Sequence, residues 1–288
     1  MADLVAELDR VSKSYGSVTA LLETSLCVNR GEFVAVLGPN GAGKTAAINL
    51  LVGTRRPDSG SASLFGRDPR QHQNRSRIGA TPQETRFPLT LKTREILVLV
   101  AAHYPSSHSI EGIAQDFSIT DILERQVGGL SGGQQRRLSV ALAFVGRPEL
   151  VFLDEPTTGL DVTSRLALWE HIRNYRASCG SLLMTTHYLE EAEALADRIV
   201  VIDKGSVLFE GTVTEIRTRL GVTRVSLTTP DVTKLPATPM SVEGNRVTLY
   251  VQDADALVRE IVKQNIPFVD LEIRPVSLEE AFLALTAE

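Results

Sequence analysis

The sequence predicts an α/β fold. A mainly parallel sheet has helices on both faces, an antiparallel β subdomain before it, a helical insert within it and a small α+β C-terminal domain after it. Three observations carry this. Short apolar runs at 33–37, 150–153, 181–186 and 198–203 alternate with longer stretches of helical character. The first run turns directly into a glycine-rich loop and then a helical stretch at 46–51. After Leu220 the alternation stops, and Pro230, Pro236 and Pro239 interrupt a shorter, mixed pattern.

Taken in order, residues 1–30 alternate and read as an antiparallel strand pair leading into the strand at 33–37. Residues from about 84 to 147 read as the helical insert, with helices at 91–104, 121–125 and 135–144 and a break at Pro105-Ser106-Ser107. Strand–helix alternation then returns: strand 150–153, helix 162–178, strand 181–186, strand 198–203. Lys204-Gly205 closes a tight turn into Val207-Leu208-Phe209. Beyond 220 come strands at 222–229, 246–251 and 268–273 and helices at 254–264 and 278–285. The expected division is therefore 1–220 and 221–288, the second part being small enough to fold only with help from its neighbour.

The loop Gly38-Pro39-Asn40-Gly41-Ala42-Gly43-Lys44-Thr45 fits the phosphate-binding pattern. Its glycines allow backbone torsions that turn several N–H groups inward, toward the positive end of the following helix. Lys44 is placed to reach β- and γ-phosphates, and the Thr45 hydroxyl to ligate Mg²⁺. The plain alternative is a glycine-rich turn without a ligand, which the strand–loop–helix setting disfavours.

Composition limits the partners. A net charge of −5 with no basic face argues against nucleic-acid binding. The two cysteines, Cys27 and Cys179, lack metal spacing and fit a reducing compartment. The longest apolar stretch, 96–102, is far too short to cross a bilayer, and the first residues carry no signal-peptide pattern.

A second motif narrows the reading. Leu130-Ser131-Gly132-Gly133-Gln134 stands about 20 residues before the acidic strand end Val151-Phe152-Leu153-Asp154-Glu155-Pro156. Alone, Ser-Gly-Gly is a loop ending at a helix N-cap. With the phosphate loop upstream, residues 3–220 resemble the ATP-binding subunits of ABC transporters, which implies a P-loop ATPase core of the ABC type. The resemblance gives roles to further positions. Asp154 holds Mg²⁺ through water, and Glu155 polarises the attacking water. Gln83, after Thr81-Pro82, contacts Mg²⁺ and water and senses the transporter. Asp161, in Gly159-Leu160-Asp161, communicates across a dimer. His187, closing Thr185-Thr186-His187, touches the γ-phosphate, and Tyr15 stacks on adenine. Ser131, Gly132, Gly133 and Gln134 complete the ATP site of a second copy. Taken one at a time, each has a bland alternative: a solvated strand end, a loop glutamine, a packing tyrosine. His72, His103, His108 and His171 are expected to be ordinary surface or helix residues. Many members carry a second hydroxyl where this chain has Ala46. The missing contact to the α-phosphate is worth about 1.5–3 kcal/mol at most.

The ending Arg274-Pro275-Val276-Ser277-Leu278-Glu279-Glu280-Ala281-Phe282 resembles the tails of ABC-2-type exporter ATPases, including daunorubicin-resistance-like ones. Its alternative is a helix with a Ser277–Glu280 capping box. The resemblance implies an ATP-hydrolysing motor that works with separate integral membrane permease subunits of ABC-2 type. It would act as a dimer, here a homodimer, peripheral on the cytoplasmic side of the cell membrane, for efflux of drugs, lipids or other amphiphiles. The surface around 84–91, with an exposed Phe87, is expected to receive the permease, and the C-terminal domain to stabilise the dimer or restrain hydrolysis. A soluble ATPase of the same superfamily remains the alternative; the chain lacks the long coiled-coil insert and tandem domains of such members. A non-hydrolysing clamp is a further alternative, against which Glu155 and His187 speak.

Overall fold

Two long strands open the chain: β1 (Leu4–Tyr15) and β2 (Val18–Asn29), joined at Gly16-Ser17 and paired antiparallel from Tyr15↔Val18 to Leu4↔Asn29. Arg10 and Glu23, both with positive φ, lie where the register shifts, so the ribbon bends at bulges. A computed structural model describes residues 3–82, 87–220 and 223–275 of the 288. It divides into two units, Met1–Gly211 and Thr212–Glu288.

In the first unit, β3 (Phe33–Leu37) is fully apolar and leaves at most 1% of any side chain exposed, as a strand covered on both faces requires. It leads into α1 (Lys44–Leu51). Next come β4 (Ser59–Leu64), α2 (His72–Arg75) and β5 (Ile78–Thr81). The helical insert follows as α3 (Thr93–Ala101), α4 (Ile110–Asp116) and α5 (Gly132–Phe144). The remainder is β6 (Leu150–Asp154), α6 (Val162–Ala177), β7 (Ser181–Thr186), α7 (Leu189–Leu195), β8 (Arg198–Asp203) and β9 (Ser206–Gly211).

Strand β4 joins β1 to make a three-stranded sheet in the order β2-β1-β4. The six-stranded sheet has the order β5-β6-β7-β3-β8-β9, parallel except for β9. Val5, Leu8, Leu21 and Val28 from the small sheet share one core with Val34, Val36, Phe152 and Val200 from the large one. Between them, Gly205 accepts hydrogen bonds from the Leu22 N–H (2.8 Å) and the Thr24 hydroxyl (2.6 Å).

The insert is seated on β5. A Cβ at Gly79 would stand 1.7 Å from the Ala143 carbonyl oxygen, so only glycine lets α5 lie so close. Tyr104 Oη donates to the Ile78 carbonyl (3.2 Å). Phe117 and Phe144 pack on His171 of α6, with centroids at 3.9 and 5.3 Å. His171 is thus a packing residue of α6, and burial lowers its pKa.

The second unit contains α8 (Val213–Leu220), β10 (Thr223–Thr228), β11 (Ser241–Glu243), β12 (Arg246–Val251), α9 (Ala254–Lys263) and β13 (Val269–Pro275). Its antiparallel sheet, β11-β12-β10-β13, packs Val225, Leu227, Val247 and Leu249 against Leu257 and Ile261 of α9. This is an α+β arrangement, with α8 on its side of the division rather than in the core domain.

The elements depart from the sequence reading in a few places. Helix α3 begins at Thr93, where the Lys92 N–H meets Glu95 Oε2 at 2.8 Å, and ends at Ala101. Residues 120–122 form a single 3-10 turn rather than a longer helix. Helix α4, capped by Ser109, was not expected. The helix at 278–285 and the Ser277–Glu280 box lie outside the described residues.

At the amino-terminal end of β5 and β6, Glu149 takes a two-pronged contact from Arg77 (2.6 and 2.8 Å) and a third bond from Arg30 (2.9 Å). Hydrogen bonding from Arg77, with Arg30 adding to it, holds the Glu149 carboxyl down at about 2, against an ordinary 4.5. Its contribution to stability is fully present above the ordinary value and is lost as pH falls from there through about 2. Urea unfolding at about pH 5 and about pH 3 should therefore show a smaller acid-induced loss in Glu149→Gln than in the wild type.

Candidate active site

Parallel strands end on the same side of a sheet, and the order β6-β7-β3 places three sequence-distant ends beside one another. There β3 delivers the phosphate loop, β6 delivers Asp154 and Glu155, and β7 delivers His187. The loop is bounded by left-handed glycines, Gly41 (φ 82°) and Gly43 (φ 109°). At Gly43 a Cβ would also stand 2.3 Å from the Ala20 carbonyl oxygen, so no side chain fits. Asn40, Gly41, Ala42, Gly43, Thr45 and Ala46 line a hollow of about 310 Å³ with Lys44 and Glu155. Val18 and Ala20 border it from the β1–β2 ribbon. Tyr15 is the antiparallel partner of Val18 and is 42% exposed.

Lys44 is 5% exposed. Its ammonium donates to the carbonyls of Gly38 (2.6 Å) and Pro39 (3.1 Å) and stands 3.7 Å from Glu155 Oε1. Burial lowers its pKa, against the opposing pull of Glu155 and Asp154. His187 Nδ1 lies 3.4 Å from the same Oε1 atom. Thr158 donates to the other oxygen, Oε2, at 3.3 Å. One carboxylate therefore gathers a lysine, a histidine and a threonine from three different segments.

The backbone of Glu155 is unusual. Its φ of 49° is left-handed for a residue with a side chain, a conformation costing about 1–3 kcal/mol that must be held by neighbours. The Glu155 N–H donates to both the carbonyl and the hydroxyl of Thr185, each at 3.1 Å. The same Thr185 hydroxyl donates to Asp154 Oδ1 (2.5 Å). Asp154, 2% exposed, is also held through its N–H by Thr81 (3.3 Å).

The second motif forms a separate group. Ser131 caps α5, accepting from the Gln134 N–H (3.3 Å) while Gln134 Oε1 accepts from the Ser131 N–H (3.0 Å). Gly132 and Gly133 face a second hollow of about 270 Å³ shared with Phe87, Thr158 and Gly159. Asp161 caps α6 through the Ser164 N–H (2.7 Å), and that bond lowers its pKa. Phe87, expected to be exposed, is half-buried in this hollow. Gln83 lies outside the described residues. Three participants escaped the sequence reading: Thr185, Thr158 and Arg136, whose guanidinium bonds four carbonyls. Each adjoins a motif residue, but its role depends on where its hydroxyl or guanidinium points, which no spacing reveals.

An ABC transporter family model matches residues 21–158. The chain is 34% identical to the doxorubicin resistance ATP-binding protein DrrA of Mycobacterium tuberculosis, over 99% of this chain and 95% of that protein. It is 34% identical to the Nod factor export ATP-binding protein I of Paraburkholderia xenovorans, over 99% and 98%. A solved ATP-binding subunit of an ABC transporter superposes with a TM-score of 0.70 at 28% identity, covering 75% of this chain and 93% of that one.

Thr185→Val keeps the shape but leaves the Asp154 oxygen and the Glu155 N–H short of a partner. It should lower unfolding free energy by about 1–3 kcal/mol, read from denaturant midpoints, and lower ATP turnover by a larger factor than it changes ATP binding.

Proposed function

The chain belongs to the ABC transporter family of ATP-binding proteins, and from that premise we propose that it is the ATP-hydrolysing motor subunit of a membrane exporter of ABC-2 type. The observation that carries this is the Glu155 carboxylate, gathered between Lys44, His187 and Thr158 at the mouth of the phosphate loop. Relatives similar over the whole chain are named as drug-resistance and export ATP-binding proteins, which supports amphiphile efflux as the work done. No helix among the described residues is long and apolar enough to cross a membrane. The reading therefore includes a separate permease, with this chain peripheral on the cytoplasmic side.

The chemistry is phosphoryl transfer to water. ATP enters with its phosphates on the loop amides and the positive end of α1. Lys44 leaves the carbonyls of Gly38 and Pro39 and neutralises charge on the γ-phosphate. Glu155 orients the attacking water and accepts its proton, and His187 stabilises charge developing on the transferred group. Oxygen donors suit Mg²⁺; Thr45, Asp154 and Gln83 would hold it, and when bound it would offset phosphate charge. Ala46, only 6% exposed, contributes a methyl group to the core beneath the loop and no hydroxyl to the phosphates. Ser131, Gly132, Gly133 and Gln134 of a second copy would close each site, with Asp161 and Tyr15 serving the facing subunit and the adenine.

Glu155→Gln tests the reading. Turnover should fall on the order of 10²-fold or more, ATP binding should persist, and ATP-bound dimers should accumulate on size exclusion. A tagged chain should draw an integral membrane partner out of mild detergent. Equal turnover in Glu155→Gln and wild type would remove Glu155 from the chemistry, and capture of only soluble partners would remove the exporter.

A further inference from the structure

Arg136 lies in α5, five residues after the helix cap Ser131, yet its side chain does not serve the insert. Its Nε donates to the Pro156 carbonyl at 3.1 Å. One terminal nitrogen donates to the Pro82 carbonyl at 3.2 Å. The other donates to the Glu155 carbonyl at 2.7 Å and to that of Asp154. The fork thus spans three consecutive carbonyls at and just past the carboxyl end of β6 and one just past β5, immediately before Gln83. Among the described residues no carboxylate pairs with it. Burial pushes its pKa down, although a guanidinium stays ionised. The charges of Asp154, Glu155 and Glu191 oppose that fall, while the fork's hydrogen bonds all go to backbone carbonyls.

We infer that Arg136 is a positioning residue for ATP hydrolysis, acting with Thr185 to hold the two peptide units that flank the left-handed Cα of Glu155. Thr185 of β7 fixes the Glu155 N–H, and Arg136 of α5 fixes the carbonyl. The N–H and the carbonyl of Glu155 belong to two successive peptide planes; holding both fixes the φ and ψ of Glu155, and with them the direction of its side chain toward Lys44 and His187. The helix that begins at Ser131 therefore also carries the clamp on the catalytic carboxylate. Any rotation of α5 that moves Ser131 also moves the support of Glu155 and of Pro82. The inference rests on the hydrolytic reading above for its consequence, and on geometry alone for the clamp.

Two readouts on the full chain separate these. In steady-state turnover, Arg136→Met should lower kcat on the order of 10²-fold, with KM and trinitrophenyl-ATP affinity within about twofold of wild type. Arg136→Lys keeps the charge without the fork and should remain impaired. Methylguanidinium should restore part of the activity of Arg136→Ala and none of that of Glu155→Gln. Amide hydrogen exchange over 153–158 reads the clamp without turnover, and protection should fall about tenfold or more in Arg136→Met. Unchanged exchange, kcat within twofold of wild type in Arg136→Met, or full activity in Arg136→Lys would overturn the inference. If Arg136→Met fails to fold, Arg136→Lys and the methylguanidinium response decide it by the same criteria. A wild type that turns over no ATP, with exchange still released in Arg136→Met, would sink the hydrolytic reading and leave the clamp standing.

Discussion

One row of strand pairing sets the site. Thr185 is the register partner of Asp154 on one side and of Val36 on the other, and Val36 pairs in turn with Val200. This row lies one residue before Glu155 on β6 and two before Gly38, where the phosphate loop begins, on β3. A slip of one residue would turn the Thr185 hydroxyl to the opposite face. Asp154 and the Glu155 N–H would then both lose their partner. The core resists such a slip, because Val36, Phe152, Leu183 and Val200 are all fully buried and would exchange places with residues packed on the other face. Register, fixed by apolar packing, is thus what brings polar chemistry into alignment.

What is gathered there costs stability. Lys44 and Glu155 are nearly enclosed, 3.7 Å apart, and Lys44 is desolvated enough for its pKa to fall. Buried ion pairs recover little of their desolvation penalty, and the left-handed φ of Glu155 adds strain. The compensation lies in the apolar packing of the surrounding sheets. The same enclosure that weakens the fold strengthens electrostatics at the loop, since charges in a water-excluded site interact more strongly than in water.

Much of this was legible in the sequence because the fold announces itself by contrast. Apolar β-branched runs against glycine turns gave β3, β6, β7 and β8, and with them the positions of Lys44, Asp154, Glu155 and His187. Weaker contrast hid other elements. Strand β4 reads Ser-Gly-Ser-Ala-Ser-Leu and has only its last residue buried, so alternation cannot mark it. Strand β5 has four residues, one of them the glycine that admits α5. Strand β11, of three exposed residues, exists because β12 offers it an edge. Phe87, just after Gln83, reads as exposed, whereas it shares a hollow with Gly132, Thr158 and Gly159, distant in sequence. The division at Gly211 also escaped notice, since α8 follows the core domain without a break in composition. Side-chain direction was the deeper limit. Asp161 capping α6 and Arg136 reaching four carbonyls are facts of orientation, not of spacing.

The insert shows how such orientations acquire mechanical meaning. Helix α5 is seated by backbone contact at Gly79 and by Phe144 on His171, its neighbours by the Tyr104–Ile78 bond and by Phe117 on His171. These contacts differ in kind. The aromatic packing is non-directional and tolerates small rotations, whereas the Gly79 approach acts as a bearing with no room for translation. The polar connections through Arg136 are directional, and they weaken steeply when a donor turns away from its carbonyl. A small pivot of α5 would leave the core of the unit intact and fall almost entirely on the Glu155 and Pro82 carbonyls. Glu155 is therefore the residue of this site tied most directly to the attitude of the insert, through Arg136.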